Sequence, residues 1–366
     1  MLDRFKVPDD IAVRVTPDAM RATVTSLFVA LGMSEADAAQ SADVLVYADT
    51  RGIDSHGVSN MTRYYVAGLE AGRINPTPRT HTLRDTGPAV SIDGDKGLGL
   101  VVGPPAMALA IERARRFGVG HVVVSNAGHY GAAAYYATRA LAHGMIGLSM
   151  TTGGVLVAPT GGAERLLGLN PIAIAAPTGK EIPFVFDASM SSLAANKIAL
   201  LNRLGGKVLP GWVARADGSP VMEEGPAPEG FMMLPLGGTR EIGSHKGFGL
   251  IMLVEILTSL LAGTGGGPFR RSDSAHGFIA IDVAAFTDLA AFEADLDAYL
   301  RRLLACAPAP GSERVVYPGV EEAEAETERT ARGIPYHPDV IRWLAATLDR
   351  LGATHALPSI GVPAAS

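Results

Sequence analysis

The chain has 366 residues, of which 48% are hydrophobic and 19% charged, so we expect a large packed core rather than disorder. Its net charge is −6 and its basic residues are dispersed, which argues against a nucleic-acid-binding face. The single cysteine, Cys306, excludes an intrachain disulfide. Together with the charged amino-terminal segment MLDRFKVPDD, it predicts a cytoplasmic protein.

The amino-terminal part is predicted to be helical. Thr16-Pro17-Asp18 is typical of a helix start, and the apolar spacing that follows predicts a first helix up to Leu31. Ser34-Glu35-Ala36-Asp37 resembles a capping box for a second helix that ends near Ala48. A third helix is predicted over 61–70, so the stretch RGIDSHGVSN lies between the second and third helices.

Beyond Pro76 and Pro78, strands alternate with helices, which predicts an α/β fold. The predicted strands are 80–83, 89–92, 120–124, 146–151, 172–176, 184–186 and 279–282. The predicted helices are 104–117, 131–143, 191–203, 247–262, 288–306 and 339–351. Segment 205–240 is interpreted as a surface excursion, and the acidic run 321–328 as a solvated helix face. The apolar stretch 248–263 is too short to span a membrane and carries Glu255, so we expect a buried helix and no membrane partner.

The sequence lacks the G-x-G-x-x-G turn of a Rossmann dinucleotide fold. The nearest match, residues 97–103, has its third glycine one position late, and a plain loop is the better prediction. No phosphate loop, HExxH motif or cysteine cluster is present, so a dedicated metal site is not expected.

Two histidines are candidates for proton transfer. His56 lies between small residues at a helix-to-helix turn, and His129 follows a predicted strand. An imidazole titrates near neutral pH, so either ring can exchange a proton with a substrate. The dipole of the helix predicted after His129 would favour its neutral form. At both positions a buried histidine that is bonded only to backbone is the alternative.

Further candidates lie at predicted strand ends and glycine-rich turns. Asp187 ends a strand and could orient a histidine, and the serines that follow are predicted to open a helix whose amides could hold a phosphate. Lys246, among three glycines, is placed to face an anionic group. An ordinary helix cap at Asp187 and a solvated Lys246 are the alternatives. Together these residues indicate a dinucleotide enzyme with acid–base chemistry.

Six stretches, in order, resemble the type 2 malate/L-lactate dehydrogenase family, which is unrelated to the Rossmann lactate and malate dehydrogenases. They are RGIDSHGVS, NAGHYGAAAYYA, APTGG…GLNPIAIAAPT, FDASMSS…NKI, GSHKGFGL…VEILTSLLAG and YPG…ERTARGIP. The resemblance covers essentially residues 10–352. It implies a non-Rossmann α/β fold like that of L-sulfolactate dehydrogenase, with a mixed sheet, flanking helices and a helical amino-terminal segment.

The resemblance also implies a homodimer that binds NAD or NADP and a small-molecule substrate. Two domains are expected: a helical substrate-side unit, 1–118 with 310–366, and a cofactor-binding α/β unit, 119–309. Carried over by position, the expected catalytic residues are His56, His129 and Asp187, with His56 the first choice of proton donor and His129 the second. The expected cofactor contacts are Thr152, Gly153, Asp187, Ala188, Ser189, His245, Lys246 and Gly319.

The chain departs from the family pattern where a substrate carboxylate would be bound. Asn60 stands where an arginine often follows the first histidine, and an amide cannot form a charge-assisted pair. Arg63 or Tyr64 could take over that contact. Val320 stands where a glutamate often follows the late Pro-Gly. We therefore expect a bulkier or less anionic substrate than malate or lactate.

The leading hypothesis is an NAD(P)-dependent oxidoreductase that transfers a hydride between nicotinamide and a 2-oxo or 2-hydroxy acid, with a histidine as proton donor. A reductase of cyclic imino acids is the alternative within the same chemistry. A dinucleotide-binding sensor without activity, or a lyase that uses Lys197 or Lys246 as an amine nucleophile, are alternatives of other classes.

Overall fold

The computed structural model describes residues 3–358, so the outermost residues of the first predicted domain fall outside it. Within this range the α-helices are α1 (Pro17–Ala30), α2 (Glu35–Thr50), α3 (Val58–Glu70), α4 (Gly99–Phe117), α5 (Ala134–Ala137), α6 (Ala195–Leu204), α7 (Ser244–Glu255), α8 (Leu289–Leu304), α9 (Val320–Arg332) and α10 (Pro338–Leu351). The strands are β1 (Val13–Val15), β2 (His81–Asp85), β3 (Ala89–Asp93), β4 (Val119–Ala127), β5 (Met145–Thr151), β6 (Val155–Val157), β7 (Leu167–Gly168), β8 (Ile172–Ala176), β9 (Phe184–Ala188), β10 (Val213–Ala214), β11 (Met232–Met233), β12 (Ser274–Asp282) and β13 (Ile334–Tyr336).

The central sheet has seven strands in the order β2-β3-β4-β12-β5-β8-β9. Only β3 and β4 pair in parallel, across the α4 crossover, and the other neighbours are antiparallel. The expected mixed sheet is therefore confirmed. A four-stranded sheet, β10-β11-β6-β7, organises much of the predicted excursion, and β1 pairs with β13.

The strand directions bring several strand ends to one edge of the sheet. β12 is antiparallel to both β4 and β5, so these two strands point the same way. Two further antiparallel steps, β5 to β8 and β8 to β9, give β9 that direction as well. The carboxyl ends of β4, β5 and β9 therefore meet at the edge where β12 begins. His129, Thr152 and Asp187 come from these three ends.

The stretch 97–103 is not a plain loop, because α4 begins at Gly99 and continues through Pro104 and Pro105. Each proline lacks the amide that would bond four residues back, which leaves the carbonyls of Leu100 and Val101 without helical partners. The side-chain amide of Gln40, on α2, donates to both carbonyls, at 3.1 and 3.0 Å. A residue that is distant in sequence thus completes the first turns of α4.

Two other predicted helices are shorter than expected. The segment 131–143 contains only α5 and one 3₁₀ stretch, because Gly131 is held at φ 75°, outside the helical region. The serines after Asp187 do not open a helix, since α6 starts at Ala195. Ser192 is instead bonded to the excursion through its amide to the carbonyl of Leu234, at 2.8 Å. Their amides are therefore not a helix-end phosphate site.

The predicted burial of the apolar helix holds for one face only. On α7 and the π-helical turn that extends it, Leu250, Leu253 and Ile256 are 40%, 41% and 52% exposed. Within residues 3–358, no helix is both long and apolar enough to cross a membrane. The expected boundary near residue 118 falls between α4 and β4, which pack together, and the division into two domains stays a prediction.

Candidate active site

A cleft of about 1780 Å³ opens at the sheet edge where β4, β5 and β9 end. Most of the residues predicted from the sequence line it: His56, Asn60, Tyr64, His129, Thr152, Gly153, Asp187, Ala188, Ser189 and Gly319. The structure thus brings together side chains and backbone that are up to 263 positions apart in the chain, from His56 to Gly319.

Three predicted residues do not line this cleft. The guanidinium of Arg63 lies 4.8 Å from the ring centroid of Trp343, because α3 turns this position away from the face that carries Asn60 and Tyr64. His245 and Lys246 are exposed in the first turn of α7. A contact between either residue and a cofactor stays a prediction.

The turn that carries His56 is fixed by a buried carboxylate. Asp49, at the end of α2, accepts hydrogen bonds from the amide of Val58 at 3.0 Å and from the hydroxyl of Tyr336 at 2.7 Å. Asp49 therefore caps α3 from a distance, since Gly57 offers no side-chain cap. Burial raises the pKa of Asp49 to about 7, and the nearby charge of Asp54 adds to this rise.

A buried ion pair ties the same turn to the acidic helix α9. The guanidinium of Arg329 donates to both carboxylate oxygens of Asp54 and to the carbonyl of Asp49. Arg329 is only 7% exposed, whereas the glutamates of α9 face the cleft or solvent. The acidic run is thus a helix, as predicted, with one arginine that reaches inward to support the His56 turn.

The two candidate histidines lie next to each other. Their ring centroids are 5.7 Å apart and the planes differ by 16°, so the imidazoles stack. The Nδ1 atom of His56 is 2.9 Å from the hydroxyl of Ser55. Burial lowers the pKa of His56 to about 4, and the charge of Lys197 lowers it further. His56 is therefore neutral at pH 7.

His129 is held through one nitrogen. Its Nδ1 is 3.1 Å from the amide nitrogen of Gly131 and 2.7 Å from the hydroxyl of Tyr65. Burial lowers the pKa of His129 to about 3, and the neighbouring His56 and His276 contribute. The neutral form expected from the sequence is thus present, but burial is the main cause rather than the dipole of a helix that begins only at Ala134.

Asp187 lies at the end of β9 and is bonded to backbone. Its carboxylate accepts from the amide of Ala134 at 2.7 Å, which places it at the start of α5 rather than against an imidazole. Burial raises the pKa of Asp187 to about 6, and the charge of Glu322 raises it further, while the amide bonds oppose this shift. Within residues 3–358 no hydrogen bond joins Asp187 to His56. The structure therefore does not show the expected direct orientation of His56 by Asp187.

Sequence reasoning missed a third histidine beneath the site. His276, fully buried on β12, lies 2.7 Å from the hydroxyl of Thr151 and 3.1 Å from the carbonyl of Gly128, and it stacks on Tyr130. It thereby fixes the backbone that leads into His129. His276 lies three positions before the strand predicted at 279–282, and nothing in the sequence assigned that strand to a place between β4 and β5.

Gly99 belongs to the stretch 97–103, the nearest match to a Rossmann turn, and its role in the structure is a packing one. A Cβ at this position would lie 2.3 Å from that of Tyr130, and the amide of Gly99 donates to the carbonyl of His129 at 3.1 Å. The start of α4 therefore packs directly on the His129 loop. This glycine supports the candidate catalytic residue by close backbone approach.

Asn60 lines the cleft, but both ends of its amide are already bonded. Its oxygen accepts from Arg203 at 3.2 Å, and its nitrogen donates to the carbonyl of Asn196 at 3.3 Å. Asn60 therefore joins α3 to α6. Arg203, which the sequence did not single out, is brought to this position but does not line the cleft.

Two other cations line the cleft without an acidic partner among the described residues. The ammonium of Lys197 lies 5.2 Å from the ring centroid of Phe5. Arg270 donates to the carbonyl of Gly153 at 2.9 Å, and its Nη1 is buried with no hydrogen-bond partner within residues 3–358. Burial lowers the pKa of both side chains. An anionic group near Lys197 would offset the cost of burying its charge, whereas Arg270 already lies close enough to Glu255 and Asp273 for their charges to act on it.

Comparison with known proteins gave consistent matches. Residues 15–345 match the family model described as malate/L-lactate dehydrogenase. A malate dehydrogenase of Pyrococcus abyssi is 39% identical, over 94% of this chain and 96% of its own length. The structure of sulfolactate dehydrogenase from Methanocaldococcus jannaschii superposes with a TM-score of 0.83 and 33% identity, over 93% of this chain and 98% of that one. A delta1-piperideine-2-carboxylate reductase from Pseudomonas syringae superposes with a TM-score of 0.78 and 26% identity, over 92% and 99%.

Proposed function

Because the chain belongs to the malate/L-lactate dehydrogenase family of oxidoreductases, we propose that it transfers a hydride between NAD or NADP and a 2-oxo or 2-hydroxy acid. Family and fold confirm two sequence predictions, the resemblance and the sulfolactate-dehydrogenase-like α/β fold. The observation that carries the proposal is the stacked pair of His56 and His129 in a cleft at converging strand ends.

The cleft fits a dinucleotide. Its volume of about 1780 Å³ exceeds the roughly 300–1,000 Å³ of pockets for small ligands alone. Gly153 and Gly319 both line it, and a Cβ on Gly319 would lie 2.7 Å from the carbonyl of Pro183, so bare backbone is required there. A nicotinamide dinucleotide bound here would supply or accept the hydride. Thr152, Gly153, Ala188, Ser189 and Gly319 are the residues that would hold it.

We assign the proton transfer to His56. Its Nδ1 can donate to Ser55, which leaves Nε2 for a substrate oxygen, so His56 can carry a second proton without losing a hydrogen bond. Burial and the charge of Lys197 lower the pKa of His56 to about 4, and a substrate carboxylate bound beside the ring would raise it. His129 would then polarise the carbonyl that accepts the hydride. Positioned acid–base help of this kind contributes about 10²–10⁴ in rate.

The substrate carboxylate is expected beside Lys197 or Arg270. Both cations line the cleft, whereas Arg63 lies against Trp343 and Asn60 is already bonded to Arg203. Lys197 is close enough to His56 to lower its pKa, so an acid group bound to Lys197 would place the adjacent carbonyl near the imidazoles.

Reduction of a cyclic imino acid is the second candidate. The similarity to a delta1-piperideine-2-carboxylate reductase favours it, because the same donor and anion contacts would serve a C=N bond next to a carboxylate. An inactive sensor is disfavoured, since the histidine pair is intact in the cleft.

The test is a panel of 2-oxo acids and cyclic imino acids, each with NADH and NADPH, followed at 340 nm. We expect turnover with at least one acid, and His56→Ala should lower kcat by about 10²-fold or more while cofactor binding, measured by fluorescence, is retained. His143→Ala, an exposed histidine, is the control. Cofactor binding without turnover of any panel member would contradict the proposal and favour the sensor. Full activity in His56→Ala would transfer the donor role to His129.

A further inference from the structure

We infer that Tyr65 is a positioning residue that holds His129 as the neutral tautomer with its proton on Nε2, so that this N–H faces the substrate oxygen. The inference rests on the proposed function, and it assigns different tasks to the two stacked imidazoles.

The hydrogen-bond directions at His129 follow from one unambiguous donor. A backbone amide can only donate, so the Nδ1 that lies 3.1 Å from the amide nitrogen of Gly131 carries a lone pair and no proton. The hydroxyl of Tyr65, at 2.7 Å from the same Nδ1, must then donate as well. A neutral imidazole without a proton on Nδ1 carries it on Nε2.

The core places Tyr65 for this task. Tyr65 is fully buried on α3, with its ring 6.3 Å from that of Phe28, while Tyr64 beside it is 52% exposed at the cleft. Burial raises the pKa of Tyr65 well above its ordinary value, so the phenol stays protonated and remains a donor. The hydroxyl therefore reaches His129 from the protein side and leaves the cleft side of the ring free.

The two donors also oppose a charged His129. A proton added at Nδ1 would face the amide of Gly131 and would force the Tyr65 hydroxyl to reverse its role. His129 is thus suited to donate a hydrogen bond to a carbonyl oxygen throughout the reaction, as a fixed dipole, while the proton itself passes between His56 and the substrate.

The experiment is Tyr65→Phe, examined by two independent measurements. Imidazole ¹⁵N NMR of the full-length protein, with His129→Gln to assign the signals, reports the tautomer without any need for activity. We expect the Nε2–H tautomer in the wild type and a mixture of tautomers in Tyr65→Phe. With the best substrate of the panel, we expect kcat to fall about tenfold while KM changes less than about twofold.

The control is Tyr317→Phe, another buried tyrosine, whose hydroxyl donates to the carbonyl of Ile182 at 2.8 Å. It should lose comparable thermal stability and keep both kcat and the His129 tautomer. A wild-type His129 protonated on Nδ1 would overturn the inference, as would a Tyr65→Phe variant with unchanged tautomer or unchanged kcat. If the wild type reduces no panel member, the proposed function fails, and the NMR result still decides the tautomer.

Discussion

At Gly57 a single methyl group would collide with the carboxylate that fixes the His56 turn. A Cβ there would lie 1.7 Å from Oδ1 of Asp49. Gly57→Ala should therefore displace Asp49 from the amide of Val58 and lower the free energy of unfolding by about 2 kcal/mol or more. Urea denaturation measures this loss. Gly225→Ala, where no atom lies within 4 Å of the added methyl, should change stability by less than about 0.5 kcal/mol.

Asp49 also makes the stability depend on pH. Its pKa of about 7 lies above the ordinary value near 3.8, so the folded protein binds the extra proton between these limits. The contribution of Asp49 to the free energy of unfolding is then complete below about pH 4, and it is lost as the pH rises towards 7. Asp49→Asn mimics the protonated side chain and does not titrate. Between pH 5 and pH 8 its free energy of unfolding should therefore rise by about 2 kcal/mol relative to that of the wild type.

The comparison with Asp49→Asn is needed because the buried histidines act in the opposite sense. The pKa values of His56, His129 and His276 are lowered to about 4, 3 and 4, so unfolding takes up protons below about pH 6.5 and stability falls as the pH falls. These effects are common to both proteins and cancel in the difference of their urea midpoints. A difference that stays constant from pH 5 to 8 would contradict the predicted titration of Asp49.

Among single residues, the sequence predicted several that line the cleft and missed those that support them. His56, His129 and Asp187 are recognisable because they stand in small-residue turns and at strand ends. Tyr65, Gln40 and His276 look like ordinary core or helix-surface residues. The hydrogen-bond partner of Tyr65 lies 64 positions away, and those of Gln40 lie 60 and 61 positions away. The partners of His276 lie 125 and 148 positions away, so only the folded chain shows these contacts.

At the scale of elements, α4 depends on a side chain from α2. Gln40→Met keeps the size of the side chain but removes the donor to the carbonyls of Leu100 and Val101, both in the buried first turns of α4. We expect a loss of about 2 kcal/mol in the free energy of unfolding, since two carbonyls lose their partner at once. Thermal and urea unfolding measure it.

The conservative control is Gln40→Glu, which replaces the amide that donates to the two carbonyls with a carboxylate oxygen that can only accept. It should be at least as destabilising as Gln40→Met. A Gln40→Met protein with wild-type stability would mean that the prolines are accommodated without this contact.

The same helix shows why the sequence predicted a start at residue 104. Proline favours the first turn of a helix, whereas the hydrogen bonds that stabilise an internal proline pair come from tertiary contacts.

At the scale of the whole molecule, α7 and its π-helical turn expose an apolar face, and we propose that a second copy of the chain covers it. The exposed Leu250, Leu253 and Ile256 continue into Leu260 and Leu261, which are 45% and 56% exposed. Ile256→Glu should shift a dimer towards monomers, because burying the carboxylate in an apolar interface is costly. Light scattering after size exclusion measures the mass. Phe286→Glu, which removes an isolated exposed ring elsewhere, should leave the mass unchanged.

A wild-type protein that is monomeric at micromolar concentration would contradict the proposed homodimer.

The same apolar face shows what the sequence pattern could not predict. An apolar helix with one mid-way glutamate predicts burial, and Glu255 is indeed buried through bonds with Asn170, Ser259 and Gly267. The pattern cannot tell whether the opposite face is covered by the same chain or by another.

The order of strands was the largest part of the fold that the sequence left open. β12 follows β4 by some 150 positions in the chain and lies between β4 and β5 in the sheet. The sheet edge at which β4 and β5 both end therefore depends on a strand that comes much later in the sequence. Local periodicity predicts that strands exist, whereas register and neighbours depend on contacts across the whole chain. The cleft is a product of that order.

The stacking of His56 on His129 has a consequence for how the pair titrates. Two rings 5.7 Å apart repel each other when both are charged, so the first proton to arrive suppresses the second. His56 has the higher pKa of the two and takes that first proton, so an inflection in a pH–rate curve reports His56 beside a neutral His129. Replacing His56 with an uncharged side chain should raise the pKa of His129, as the like charge disappears.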